Sequence, residues 1–216
     1  MRQTDATKRR ILIFVLLAAM LWLLPGCQAR PDPQPERDWN LILVNSDHPI
    51  PEGYEVPLLR LSNGEEVDER IYPELQAMFD DARAQGLGLF VRAGYRSQAE
   101  QQRLYDERIA AYEQEGYAHA EAEQLARSWV AVPGTSEHQL GLAVDINADP
   151  SVSSDEAVYR WLAENACRYG FILRYPQDKV DITGIANEPW HFRYVGKPAA
   201  EEMTQANLCL EEYLGS

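Results

Sequence analysis

Four side chains of this sequence combine types and positions suited to hydrolysis at a metal ion. Of four histidines, two stand in suggestive company: His138 within SEHQLGLAVD (136–145) and His191 within Glu188-Pro189-Trp190-His191. A catalytic zinc takes three protein ligands and keeps one position open for water. His138, His191 and Asp145 supply two imidazoles and a carboxylate. Asp145 lies in an otherwise apolar run, after Leu142-Ala143-Val144 and before Ile146. A carboxylate in such a strand is costly unless it is paired or bound to a cation. A strand rises ~3.3 Å per residue, so His138 and Asp145 meet only if the chain turns back between them, and Gly141 permits that turn. Hydrolysis also needs a base to take a proton from water, and Glu188, close to His191 across a rigid proline, suits that role. Other readings stay open at this level. Asp145 has Arg96 and Arg193 as candidate ion-pair partners, and the surface is the common fate of a glutamate such as Glu188. His48 and His119 lack comparable neighbours and read as structural or surface residues.

The elements that must position these residues follow from periodicity and punctuation. Leu41–Val44 reads as a short strand and 45–70 as loop. Tyr72 to Gln85 carries Leu75, Met78, Phe79 and Ala82 at helical spacing and stops at Gly86. Leu87–Ala93 reads as a strand. Ser97 and Glu100 form a capping-box pattern opening a helix to about Glu115. A further helix covers Ala118–Val130 and breaks at Pro133-Gly134. Leu142–Ile146 is a strand, Ser154 opens a helix ending near Gly170, and Phe171–Arg174 and Trp190–Val195 are strands. Ala199–Leu214 is a closing helix. Helices and strands mix without strict alternation, which predicts an α+β fold.

The chain has 216 residues, 45% of them hydrophobic, enough for a single domain with a real core. Its first 26 residues read as an export signal: Lys8-Arg9-Arg10, then an apolar run from Ile11 to Leu24, short for a bilayer span. Leu24-Pro25-Gly26-Cys27 resembles the bacterial lipobox, which predicts lipidation at Cys27; an ordinary cleavage site or a plain membrane anchor is the alternative. Residues 27–38, rich in proline and charge, read as a tether, and 39–216 as the domain. The formal charge is −14. Removing residues 1–26 takes away four basic side chains and one acidic, leaving −17. Such a surface repels phosphate backbones and argues against nucleic-acid binding. Cys167 and Cys209 remain as an even pair in an oxidising compartment, where a disulfide is one outcome and two free thiols the other.

SEHQLGLAVD resembles the S-x-H-x-x-G-x-A-x-D signature of the VanY-type zinc D-alanyl-D-alanine carboxypeptidases, and EPWHFRYVG (188–196) resembles their second signature. LVNSDHPIP (43–51), AGYRSQAEQQRLY (93–105) and YGFILRYP with ITGI (169–176 and 182–185) are similar too, so the resemblance spans nearly all of 41–196 in order. It implies a small α+β domain whose central antiparallel sheet, flanked by helices, bears the metal. It implies zinc ligands at His138, Asp145 and His191, Glu188 as catalytic base, Arg96 as a catalytic guanidinium, and substrate contacts at Gln101 and Ser136. A fixed guanidinium suits a substrate carbonyl, a carboxylate or a developing oxyanion. The expected activity is removal of the terminal D-alanine from peptidoglycan stem peptides by a monomer held at the cell envelope through its lipid. The rivals are an L,D-carboxypeptidase acting on tetrapeptide stems, a peptidoglycan endopeptidase, and a non-catalytic envelope binding module. Wall maturation, recycling and resistance to vancomycin-like antibiotics all use this chemistry.

Overall fold

The computed structural model describes residues 39–216, so the predicted signal, Cys27 and the tether lie outside the described residues. The centre of the domain is a four-stranded antiparallel sheet made of β3 (Leu89–Ala93), β4 (Ala143–Ala148), β5 (Phe171–Leu173) and β6 (His191–Tyr194), in the order β3-β4-β6-β5. Side chains alternate across a strand. One face therefore presents Leu89, Val91, Val144, Ile146, Phe171 and Phe192 to the main core. Helices α1 (Tyr72–Ala84) and α4 (Asp155–Asn165) cover that face with Leu75, Met78, Phe79, Val158, Trp161 and Leu162. The other face carries Asp145, His191 and Arg193, all buried. Two-sided burial explains why β4 and β6 look apolar in sequence yet hold charge: the ionisable positions share one parity.

Helices α2 (Gln98–Gln114) and α3 (His119–Arg127) pack together around Tyr105, Ile109, Ala122 and Ala126. The expected capping box is formed: Ser97 Oγ accepts from Glu100 N, and Glu100 accepts from the Ser97 backbone N–H at 2.8 Å. A turn α5 (Val180–Thr183), absent from the sequence reading, precedes β6.

Three expectations are corrected. Leu41–Val44 is not a strand. A short 3-10 turn covers Trp39–Leu41, and the carbonyls of Asn40 and Ile42 accept from Arg193 Nη2 at 3.1 and 2.9 Å rather than from a neighbouring strand. The 45–70 segment contains an antiparallel pair, β1 (Leu58–Arg60) and β2 (Glu66–Asp68). The closing helix is two helices, α6 (Lys197–Ala206) and α7 (Leu210–Leu214), broken where Asn207 adopts φ 50°. They pack Met203 and Leu210 over Ile172 and Val195. Cys167 and Cys209 are free thiols.

Candidate metal centre

The sheet register places the site. Asp145 on β4 stands directly opposite His191 on β6, and opposite Ala93 on β3 on its other side, next to a register shift between Val91 and Ala93. His138 arrives from the 3-10 turn Glu137–Leu140, which Gly141 ends at φ 70°. That left-handed conformation reverses the chain into β4, and a Cβ there would lie 2.9 Å from Asp68 N. The loop after β3 packs against the same turn: Arg96 N donates to His138 O at 3.2 Å.

The three predicted ligands converge. His138, Asp145 and His191 each offer an atom within 4.8 Å of the others, and among the described residues they form the cluster of metal-binding geometry. His138 Nε2 is 3.4 Å and His191 Nδ1 is 3.1 Å from Asp145 Oδ1. That oxygen is buried and has no hydrogen bond in the protein. His138 Nδ1 faces the Gly94 carbonyl at 2.7 Å, which fixes a proton on Nδ1 and leaves Nε2 as a lone pair. Asp145 Oδ2 accepts from Arg96 Nη2 at 2.9 Å. Two nitrogens and an orphaned carboxylate oxygen, aimed at one point beside an open groove, fit a zinc ion with a free fourth position.

Burial and charge set the protonation states without metal. Burial lowers His138 to about 4, helped by the Arg96 cation. Burial also opposes charge on His191, but Asp145 and Glu137 outweigh it and raise His191 to about 9. Burial raises the Asp145 carboxyl, and the adjoining imidazoles, His138 first, reverse this and hold it well below the ordinary range. Glu188 is held in place by its own backbone N–H, which donates to Tyr175 O at 3.1 Å. Its Oε2 is 3.6 Å from His191 Nδ1, and burial pushes it up to about 7. That value is near the optimum for a group that must both take and return a proton at neutral pH.

A groove of about 1030 Å³ crosses the centre. Arg96, Gln101, Ser136 and Glu188 line it together with the three ligands. Gln101 is anchored through Nε2 to the Ala131 carbonyl at 2.8 Å, while its buried Oε1 has no partner in the protein. His48 and His119 are exposed and lie outside both the His-Asp-His cluster and the groove lining; His119 pairs with Glu113.

Sequence reasoning missed a buried charged group behind the ligands. Glu137 is fully enclosed and receives Arg174 Nε at 2.8 Å, with Arg193 Nη1 at 3.0 Å. Arg174 also grips Glu211 of α7 with two hydrogen bonds, at 2.9 and 2.6 Å. Of the two arginines weighed as partners for Asp145, Arg96 takes that role and Arg193 serves Glu137 instead. The available signal was Arg193 itself: a charged residue in strand β6 on the same parity as His191.

A sheet-borne His-Asp-His cluster with a raised carboxyl at its side and a long groove across it is the architecture of a mononuclear metallohydrolase. Residues 64–197 match the family model described as VanY, D-alanyl-D-alanine carboxypeptidase, and the chain belongs to that family. It is 58% identical over 181 residues to a D-alanyl-D-alanine carboxypeptidase of Enterococcus faecalis (strain ATCC 700802 / V583), covering 84% of this chain and 68% of the relative. Among solved structures it is similar to VanYB in complex with D-alanine-D-alanine, with a TM-score of 0.81 and 58% identity over 82% of this chain and 98% of that one. It is equally similar to a mutant of the vancomycin resistance D,D-pentapeptidase VanY from a VanB-type cassette in complex with Zn(II), with a TM-score of 0.80 and 58% identity over 82% and 99% of the two chains.

Proposed function

We infer that this chain is a zinc-dependent D-alanyl-D-alanine carboxypeptidase that removes the last residue from peptidoglycan stem peptides. The observation that carries this reading is the convergence of His138 Nε2, Asp145 Oδ1 and His191 Nδ1 on one point, with Glu188 3.6 Å from His191. When bound there, zinc supplies Lewis acidity toward the scissile carbonyl and acidifies water.

The protein's own groups do the rest. Glu188, which lines the groove beside His191, takes a proton from the attacking water. The water oxygen bonds to the carbonyl carbon, and negative charge gathers on the carbonyl oxygen. Arg96 lines the groove beside Asp145 and offers its guanidinium to that charge. As the C–N bond breaks, Glu188 returns the proton to the departing D-alanine nitrogen. The free acceptor of Gln101 and the buried Ser136 are offered to the stem backbone along the groove.

The test is mass analysis of pentapeptide and tetrapeptide stems incubated with the protein, with and without chelator. Release of one D-alanine from pentapeptide, abolished by chelator and restored by zinc, is the expected result. Cleavage of the tetrapeptide alone would replace the D,D assignment by an L,D one, and internal cuts would make it an endopeptidase. Glu188→Ala is expected to keep zinc and lose roughly 10²–10⁴ in kcat.

The envelope setting rests on the sequence pattern. Residues 1–26 act as a lipoprotein signal, Cys27 carries the lipid, and 27–38 tether the catalytic domain, 39–216, outside the cytoplasm, where its substrate is.

A further inference from the structure

His191 has two ring nitrogens, and the metal centre uses one of them. The other, Nε2, is buried, has no hydrogen-bond partner, and faces Glu137 Oε2 at 3.7 Å. Glu137 Oε2 is likewise buried and unpartnered. A donor and an acceptor that have both lost water and face only each other are complementary, since neither has another way to recover its solvation. We propose that Glu137 is a positioning residue that holds the Nε2 side of His191 so that Nδ1 is presented to the ion, and that Arg174 extends this support to Glu211 on α7. The proposal rests on the zinc reading and deepens it.

The chain of contacts is continuous. Glu137 Oε1 receives Arg174 Nε at 2.8 Å and lies 3.0 Å from Arg193 Nη1. Arg174 Nη1 and Nη2 donate to Glu211 at 2.9 and 2.6 Å, and Asn45 Nδ2 donates to the same carboxylate at 3.2 Å. Arg174 and Arg193 are fully enclosed. Buried ion pairs are a poor source of stability compared with apolar packing. Four charged groups in a row behind one ligand are better explained by the orientation they impose. The far end, Glu211, lies beyond residues 64–197, so part of the centre's support comes from outside the segment that defines the family.

The experiment measures zinc dissociation constants by competition with a chromophoric chelator at fixed pH. Folding is checked by near-ultraviolet circular dichroism, and the Nε2–H of His191 is read from nitrogen-15 imidazole signals of the zinc-bound protein. Glu137→Gln is expected to weaken zinc roughly 10–100-fold and to shift the His191 ring signals. Glu211→Gln, remote from the groove, is expected to weaken it in the same direction by a smaller factor. A folded Glu137→Gln variant with unaltered zinc affinity and ring signals overturns the proposal. Should that variant fail to fold, Glu211→Gln decides: unaltered affinity in the folded protein overturns the relay to α7, and weakened affinity supports it. Failure of the unaltered protein to bind zinc would instead sink the functional reading.

Discussion

Glu188 and His191 stand 3.6 Å apart, and both hold their protons more tightly than usual, for different reasons. Burial does this to Glu188, whereas the carboxylates of Asp145 and Glu137 do it to His191 against the pull of burial. In the metal-free protein His191, raised to about 9, is protonated at pH 7.5, and an ion entering at Nδ1 must displace that proton. Zinc binding is therefore expected to release about one proton near neutrality, with the release fading as pH rises past 9. Titration calorimetry in buffers of different ionisation heat measures this; an enthalpy independent of buffer would contradict it. Arg96 belongs to the same scale. Arg96→Lys keeps the charge but not the planar fork. It is expected to lower kcat roughly 10²–10³-fold with zinc content preserved, measured by comparing turnover with metal stoichiometry. The clustering of His138, Asp145 and His191, with Glu188 beside it, was legible because rare residue types sat in conspicuous settings: a carboxylate in an apolar strand, and histidines beside carboxylates. Glu137, Arg174 and Glu211 were not, since contacts between residues 37 positions apart leave no spacing to read.

Long helices and their caps were readable at the level of elements because their signals are local. The Ser97–Glu100 capping box and the 72–84 helix follow from neighbours three and four residues away. The Leu41–Val44 run misled because its apolar side chains serve packing while neighbouring carbonyls are spent on Arg193, a partner 151–153 residues distant. The short β1–β2 pair was hidden by three-residue strands with little room for alternation. One loop makes a sharp prediction. At Gly94 a Cβ would fall 2.1 Å from the Glu66 carbonyl, and this residue's own carbonyl orients His138. Gly94→Ala must push β2 away from the loop after β3. It is expected to lower the melting temperature and weaken zinc binding together, observed by thermal unfolding with and without metal. An alanine variant that melts and binds zinc like the parent would show that the loop yields freely.

For the whole molecule, composition and charge argue against nucleic acid and the first 26 residues read as an export signal ahead of one domain, while the groove's shape had no trace in sequence. The groove is assembled from β3, β4, β6, α2, the start of α4 and the segment 129–131, whose mutual placement is a tertiary property. The envelope proposal has its own test. Cys27→Ser is expected to move the protein expressed in bacteria from the detergent phase to the aqueous phase on phase partitioning, because the lipid chain supplies the apolar surface that holds it to a bilayer. Equal partitioning of the variant and the parent would mean that residues 1–26 anchor the chain themselves.

The pairing of Asp145 with His191 across β4 and β6 has a consequence for assembly. Side chains alternate with a period of two, so a slip of one residue would send Asp145 into the greasy interior and offer Val144 or Ile146 to the ion instead. The core rejects that misalignment by itself, since it would bury a carboxylate among Leu75, Met78 and Phe192. Getting the hydrophobic side right thus gets the ligand spacing right, and the polypeptide can mature before any metal arrives, with the ion captured by a receptor already shaped for it.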